Sequence, residues 1–267
     1  MSGLSLNHLN VGYGRRPVLR DLSLPLIRPG EVTVLAGPNA AGKSTLLRAI
    51  ARLAPATGEI RLDGEDLRSL SAAARAKKIG FMPQTLPSGA ALSVLETVIA
   101  ALRAGQAVEG GRPGQRAMEV LTRLGIEQLA LSDLDQLSGG QRQMVSLAQA
   151  IVRDPRLLLL DEPTSALDLA RQVRLLGELR RIAAEGRVVL AVLHDLALAA
   201  RWADRIAILH QGGLYAFGPP AEVLTPVMLA EVYGVRARVE TCSQGHLMVQ
   251  IDSEIAAAVS SDLNAHV

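Results

Sequence analysis

Gly37-Pro38-Asn39-Ala40-Ala41-Gly42-Lys43-Ser44-Thr45 follows the pattern G-x-x-x-x-G-K-[ST] without a mismatch. Upstream, Val32, Val34 and Leu35 make a short apolar run that reads as a buried strand; downstream, Leu46, Leu47 and Ile50 recur at helical spacing. A strand, a glycine loop and a helix are the three parts a phosphate cradle needs. Gly37 and Gly42 let backbone N–H groups curl round an anion, the helix N-terminus adds partial positive charge, and Lys43 adds a full one. A chance glycine loop ending in Lys-Ser would lack that flanking strand and helix. The expected fold is α/β, built on a P-loop core.

Composition bounds the rest. At 267 residues the chain can bury a large core, as one α/β domain or a core with a smaller subdomain. Hydrophobic residues make up 49% and aromatics only 2%, so the interior must be aliphatic. A net charge of +2 is too small for an electrostatic nucleic-acid footprint, and no basic face is interleaved with stacking aromatics, so no nucleic-acid partner is expected. Cys242 is the only cysteine, which excludes a disulfide framework or thiolate metal site and suits a reducing compartment. Residues 1–11 show no basic start followed by an apolar block, so no signal peptide is expected. Leu157–Leu160 is far too short to span a membrane, and His194 and Asp195 interrupt the run after Val188. Any membrane role must run through a partner.

Outward from the loop, Leu4, Leu6, Leu9 and Val11, then Leu22, Leu24 and Leu26, have the near-alternation of half-buried strands, with Pro25 arguing for an edge or a bulge. Residues 59–62 repeat this before an Asp63-Gly64 turn. These segments predict an antiparallel sheet beside the P-loop unit. From Ser93 the period changes: Ser93 and Glu96 make a capping-box pattern ahead of Leu95, Val98, Ile99 and Leu102. Residues 105–114 read as a loop, and Ala117, Leu121 and Leu124 as a helix stopped by Gly125. Met144, Val145, Ala148, Ile151 and Val152 form the stripe of another helix ending near Asp154-Pro155, and Val173, Leu176 and Leu179 mark the face of a later one.

Two further segments carry chemistry. Leu157-Leu158-Leu159-Leu160 runs into Asp161-Glu162-Pro163, as a central parallel strand delivers acids to the edge where ligands bind in open sheets. Asp161 is placed to hold Mg²⁺, through water, and Glu162 to orient or deprotonate an attacking water. Taken alone, the pair could equally cap a helix after a core strand. Leu137-Ser138-Gly139-Gly140-Gln141 is a second glycine-rich helix opening, with Ser138 and the N–H groups of Gly139 and Gly140 forming an anion site about ninety residues from the first. A buried run from Val188 ends at His194; a lone histidine there is ordinarily a structural hydrogen-bonder.

The order P-loop, lone Gln84, Leu-Ser-Gly-Gly-Gln, Leu-Leu-Leu-Leu-Asp-Glu-Pro, Ser165-Ala166-Leu167-Asp168 and His194 resembles the ATPase subunit of ATP-binding cassette transporters, from Leu4 to at least Val235. The resemblance implies a mixed-sheet P-loop NTPase core with an N-terminal antiparallel β subdomain (together 1–84 and 154–240), an α-helical subdomain carrying the signature (85–153), and a C-terminal strand and tail (241–267). It implies ATP and Mg²⁺ as cofactors. Gly37, Pro38, Ala41 and Gly42 would frame the cradle; Lys43 and the backbone from Asn39 through Ala40 to Ser44 would hold the β- and γ-phosphates. The Ser44 hydroxyl would coordinate Mg²⁺ and Thr45 contact the α-phosphate. Gln84 would sense Mg²⁺ and the attacking water and begin the segment coupled to the membrane partner, Tyr13 would stack on adenine, and His194 would contact the γ-phosphate. In the family two copies face head to tail, so Ser138, Gly139, Gly140 and Gln141 would close over the other subunit's nucleotide, with Asp168 linking the two sites.

Residues 141–150, 218–225 and 232–235 look like those of ATPases importing iron-siderophore complexes, haem or cobalamin. That implies a homodimer on the cytoplasmic side of the inner membrane, peripheral to separate permease subunits and served indirectly by a periplasmic or extracellular solute-binding protein. An importer of another small solute, or an exporter, remains open; so does a non-transport cassette ATPase of DNA repair or translation, although neither tandem cassettes nor long heptad insertions occur. Ala40 stands where the family commonly has glycine, which would stiffen the loop slightly. Cys242 and His246 are too few for a metal site and read as strand or loop residues.

Overall fold

A computed structural model of the chain describes residues 2–14, 16–85, 92–104 and 112–255. β1 (Leu4–Tyr13) and β2 (Arg16–Ile27) form a hairpin, β3 (Val32–Ala36) and α1 (Lys43–Ile50) flank the glycine loop, and β4 (Ala56–Leu62) and the two-residue β5 (Glu65–Asp66) complete an antiparallel sheet of order β2-β1-β4-β5. α2 (Ala72–Lys78) leads into β6 (Ile79–Met82). Three helices follow: α3 (Val94–Arg103), α4 (Pro113–Leu124) and α5 (Gly139–Ile151). The chain then alternates through β7 (Leu157–Asp161), α6 (Leu169–Ala184), β8 (Val188–Val192), α7 (Leu196–Trp202), β9 (Arg205–His210) and β10 (Gly213–Gly218). It closes with α8 (Pro220–Val223), α9 (Pro226–Tyr233) and the hairpin β11 (Val235–Thr241) with β12 (Leu247–Glu254).

The second sheet has the order β10-β9-β3-β8-β7-β6. Neighbours from β9 to β6 are parallel and only β10 is antiparallel, so the sheet is mixed. Parallel pairing puts the C-terminal ends of β3, β6, β7 and β8 on one edge, and with them the glycine loop, Gln84, Glu162 and His194. Both faces of this sheet are covered. Leu158, Leu160, Val189 and Ala191 face the helices, while Leu157, Leu159, Val188 and Leu190 face α1 and the antiparallel sheet. That two-sided burial is why these strands read as unbroken apolar runs. Every buried hydrophobic residue described is aliphatic or methionine.

Local chemistry sets the helix ends. Ser93 accepts from Glu96 N, and the Glu96 carboxylate takes the Ser93 N–H at 2.8 Å, closing a reciprocal cap on α3. Gly125 ends α4 in a left-handed conformation at φ 66°.

Several expectations need correction. Pro25 produces both alternatives: β2 is an edge strand, and Leu4 pairs with Ile27 while Leu6 pairs with Leu24. Between those pairs Pro25 and Leu26 oppose the single residue Ser5, so the bulge turns Ile27 inward and leaves Leu26 only half buried. β2 also begins at Arg16, six residues before the alternation at Leu22 shows it. Of the loop expected over 105–114, residues 105–111 lie outside the described ones, and Pro113 and Gly114 already form the first turn of α4. Val173 is exposed; the buried face of α6 is Leu175, Leu176, Leu179 and Ile182. β11 starts at Val235, so the C-terminal hairpin takes in residues expected to belong to the core. Cys242 N donates to His246 O at 2.8 Å in the connecting turn. The tail from 256 lies outside the described residues.

Candidate nucleotide site

The glycine loop is shaped before any anion enters it. Gly37 sits at φ 140°, and a Cβ there would fall 2.2 Å from Leu209 O of β9, so only glycine lets the loop leave β3 in this direction. Lys43, the first residue of α1, donates from Nζ to Gly37 O at 2.7 Å and Pro38 O at 2.8 Å, and Ala41 N donates to Pro38 O at 3.2 Å. Burial lowers the Lys43 pKa, opposed by the charges of Glu162 and Asp161. Ala40 stands at φ 64°, in the left-handed region.

A cavity of about 730 Å³ opens over this loop, lined by Asn39, Ala40, Gly42, Lys43, Ser44 and Thr45 together with Tyr13, Glu162 and His194. Gly37, Pro38 and Ala41 are not part of that lining. Tyr13 ends β1 with half its surface exposed.

Asp161 lies under the cavity floor. Its Oδ1 accepts from Ser44 Oγ at 2.8 Å, joining the last residue of β7 to the second residue of α1. Burial pushes the Asp161 carboxyl above its ordinary pKa, with the Ser44 hydrogen bond opposing and the Glu162 charge reinforcing. A buried carboxylate paired with a hydroxyl is a hard-oxygen donor set that suits Mg²⁺. Among the described residues no group of three or more His, Cys, Asp or Glu could hold a metal ion.

Glu162 is bracketed. Its Oε2 accepts from Gln84 Nε2 at 2.8 Å and its Oε1 lies 2.6 Å from His194 Nε2. These contacts span three adjacent strands, since Gln84 follows β6, Glu162 follows β7 and His194 follows β8. Glu162 takes φ 53°, a conformation costing a non-glycine residue about 1–3 kcal/mol unless its surroundings hold it.

The second glycine segment opens α5. Ser138 Oγ accepts from Gln141 N at 3.3 Å, and Gln141 Oε1 takes the Ser138 N–H at 2.8 Å, so the expected Ser138 and Gln141 ligands form a capping box. The first-turn N–H groups of Gly139 and Gly140 lie ahead of the intrahelical ladder. A Cβ on Gly140 would come 2.9 Å from Ala166 O, so glycine allows the helix to seat against the segment after Glu162. None of these four residues lines the P-loop cavity. Asp168 caps α6, accepting from Arg171 N at 2.9 Å and pairing with Arg171 at 3.2 Å.

Sequence reasoning missed other neighbours of the cavity. Arg16 and Arg20 on β2 line it, as do Gln211 and Gly212 in the β9–β10 turn. A signal existed in the arginines that follow the Gly-Tyr-Gly turn. Tyr233, ending α9, has its pKa raised to about 12 by burial, with the nearby Gly37 backbone opposing the shift; nothing in its local sequence marks that proximity.

No helix among the described residues is long and apolar enough to cross a membrane. Residues 19–165 match the ABC transporter family. The chain is 37% identical over 250 residues to a hemin import ATP-binding protein of Jannaschia sp. (strain CCS1), covering 91% of each. It is 36% identical over 244 residues to an achromobactin transport ATP-binding protein of Dickeya dadantii, covering 90% of each. Among solved structures it resembles a metal-chelate type ABC transporter in an inward-facing conformation, with a TM-score of 0.78, 27% identity and coverage of 95% of this chain and 98% of that one. It also resembles a dimeric ATP-binding cassette in a post-hydrolysis state with ADP and Pi, with a TM-score of 0.74, 31% identity and coverage of 81% and 98%.

Proposed function

The chain belongs to the ABC transporter family as an ATPase subunit, and from that premise we propose that it powers the import of haem or a related iron chelate, with cobalamin as the third candidate of the same class, through a separate permease. Relatives named for hemin and achromobactin transport, and the likeness to a metal-chelate type transporter, support the cargo class. The observation that carries the hydrolytic part is Glu162, held from two sides by Gln84 and His194 in the cavity that contains Lys43.

The roles follow from placement. Lys43 and the backbone from Asn39 to Ser44 bind the β- and γ-phosphates, with Gly37, Pro38, Ala41 and Gly42 shaping the loop; Thr45 contacts the α-phosphate, and Tyr13 stacks on the base. Arrival of phosphate replaces the carbonyl contacts of Lys43 with charge-assisted ones. Ser44 and Asp161, joined at 2.8 Å, would hold Mg²⁺ from the protein side, and Gln84 would sense it. When bound, that ion neutralises charge developing on the phosphate oxygens. Glu162 accepts the proton of the attacking water, and His194 and Gln84 fix its carboxylate so that no reorientation is needed at the moment of attack.

Ser138, Gly139, Gly140 and Gln141 lie away from the cavity of their own chain. They are read as the cover of a second subunit's nucleotide, with Asp168 at the seam, in a homodimer. In this reading residues 1–84 and 154–234 are the catalytic core and β subdomain, 85–153 the helical subdomain, and 235–267 a C-terminal hairpin and tail. The subunit is peripheral on the cytoplasmic face of the inner membrane, and a solute-binding protein outside delivers cargo to the permease.

The test is ATP-driven uptake in sealed vesicles carrying this subunit and the permease encoded beside it, challenged in turn with haem, ferric siderophores and cobalamin. Uptake of one of these, lost with Lys43→Ala, is the expected result. Export, or uptake of none of the three alongside robust ATPase activity, overturns the cargo assignment.

A further inference from the structure

Gln143 lies in the first turns of α5, five residues after Ser138, and only 6% of its surface is exposed. Its amide is used at both ends. Nε2 donates to the main-chain oxygen of Glu162 at 2.8 Å and to Ser165 Oγ at 3.2 Å, while Oε1 accepts from Ala166 N at 3.0 Å. The amide orientation is fixed by this environment, because a flipped group would set its NH₂ against the Ala166 N–H. Ser165 Oγ donates to the same Glu162 oxygen at 3.1 Å.

These bonds meet at the residue with the most demanding backbone in the site. Glu162 at φ 53° persists only if its surroundings over-determine it, and two donors aimed at its carbonyl do that. Its carboxylate must meet Gln84 and His194 at 2.8 and 2.6 Å, and those distances depend on where the main chain is held. The other end of Gln143 belongs to the helix whose first turn carries Ser138, Gly139 and Gly140. Gln143 follows Gly140 by three positions, less than one turn of a rigid helix.

We propose that Gln143 is a positioning residue that ties the seating of the α5 N-terminal turn to the placement of the Glu162 carboxylate in the same chain. When a second subunit's nucleotide engages the first turn of α5, Gln143 carries that seating to the base of its own chain's site. The inference rests on the reading of Glu162 as the water-activating base and of α5 as the cover of a second nucleotide.

The test uses the full chain. Gln143→Met keeps the volume and removes all three hydrogen bonds. The expected result is a kcat lowered about tenfold or more, as for a reacting group displaced by a fraction of an ångström, with KM for ATP within about threefold of wild type. The ATP-locked dimer of a Glu162→Gln background is retained. Gln143→Glu keeps the acceptor for Ala166 N but donates to Glu162 O only when protonated, and burial at this position favours the protonated form, so its kcat relative to wild type recovers as pH is lowered. A merely structural bridge gives no such recovery. Unchanged kcat in both variants overturns the role, as does a kcat loss that comes with loss of the dimer. Glu162→Gln assayed alone separates the premise: near-normal turnover there removes the premise, whereas an inactive Glu162→Gln with active Gln143 variants overturns the positioning role itself. If Gln143→Met does not fold, Ser165→Ala carries the test by removing one donor from an exposed position; a kcat reduced by about twofold or more at constant KM supports the role, and an unchanged kcat overturns it.

Discussion

His194 Nε2 lies 2.6 Å from Glu162 Oε1, although 32 residues separate them and each follows a different strand of the parallel sheet. The register of β7 against β8 makes this contact, with Asp161 paired to Val192 and both chains leaving the same sheet edge immediately afterwards.

Replacing Glu162 with Gln keeps the shape of that contact and removes the base. Turnover falls by about a hundredfold or more, the scale of general-base loss, while ATP binding persists and an ATP-bound dimer accumulates on size exclusion. Near-normal turnover rules Glu162 out as the base.

Mixing two damaged subunits tests whether one site draws on two chains. A Ser138 variant combined with Lys43→Ala in the other protomer leaves one composite site intact and one doubly damaged, so the mixture recovers activity that neither variant has alone. A mixture no more active than either parent shows that the α5 N-terminus does not act in trans.

Asp161 is set for function at a cost in stability. Burial raises its pKa in the folded chain, so the folded state binds the proton more readily than the unfolded chain does. Its contribution is most favourable below the unfolded pKa and is lost as pH rises through the folded one. Asp161→Asn, free of Mg²⁺ and nucleotide, therefore melts higher than wild type at neutral pH, by about 2–4 °C for each kcal/mol gained, and the gap closes in acid where Asp161 is protonated. Hydrolysis is nevertheless lost. A variant that melts lower at neutral pH contradicts this account.

Ala40 holds a left-handed φ of 64° with a Cβ that favours other conformations. Ala40→Gly relieves about 1 kcal/mol of that strain, partly offset by the freer unfolded chain. The expected outcome is a slightly higher melting temperature and an ATP KM within about twofold, read by calorimetry and steady-state assay. A lower melting temperature shows that the loop gains more from stiffness than it loses to strain.

Legibility in the sequence follows the range of the interactions. The phosphate loop, the all-leucine start of β7 and the Ser93–Glu96 capping box read directly, because a few consecutive residues carry their geometry. β2 shows only from Leu22, because Arg16 and Arg20 belong to it through pairing with β1 rather than through alternation. Val173 sits at a plausible helical position, yet α6 turns Leu175 and Leu179 inward, and only the sheet beneath decides that rotation. Gln143 looks like one more polar residue on a helix until the Glu162 carbonyl and the Ala166 N–H are placed beside it. Tyr233 comes near Gly37 from the far end of the chain. Contacts that need two distant segments are invisible to periodicity.

The left-handed backbone of Glu162 bears on how this protein can be engineered. Glycine adopts that conformation without strain, so a laboratory selection for heat resistance alone would favour Glu162→Gly, and Asp161→Asn beside it, over the residues now present. The hardiest clones from such a library would be inert ones. Any search for a sturdier version has to couple survival to work done, and the positions to exclude from randomisation are 161 and 162.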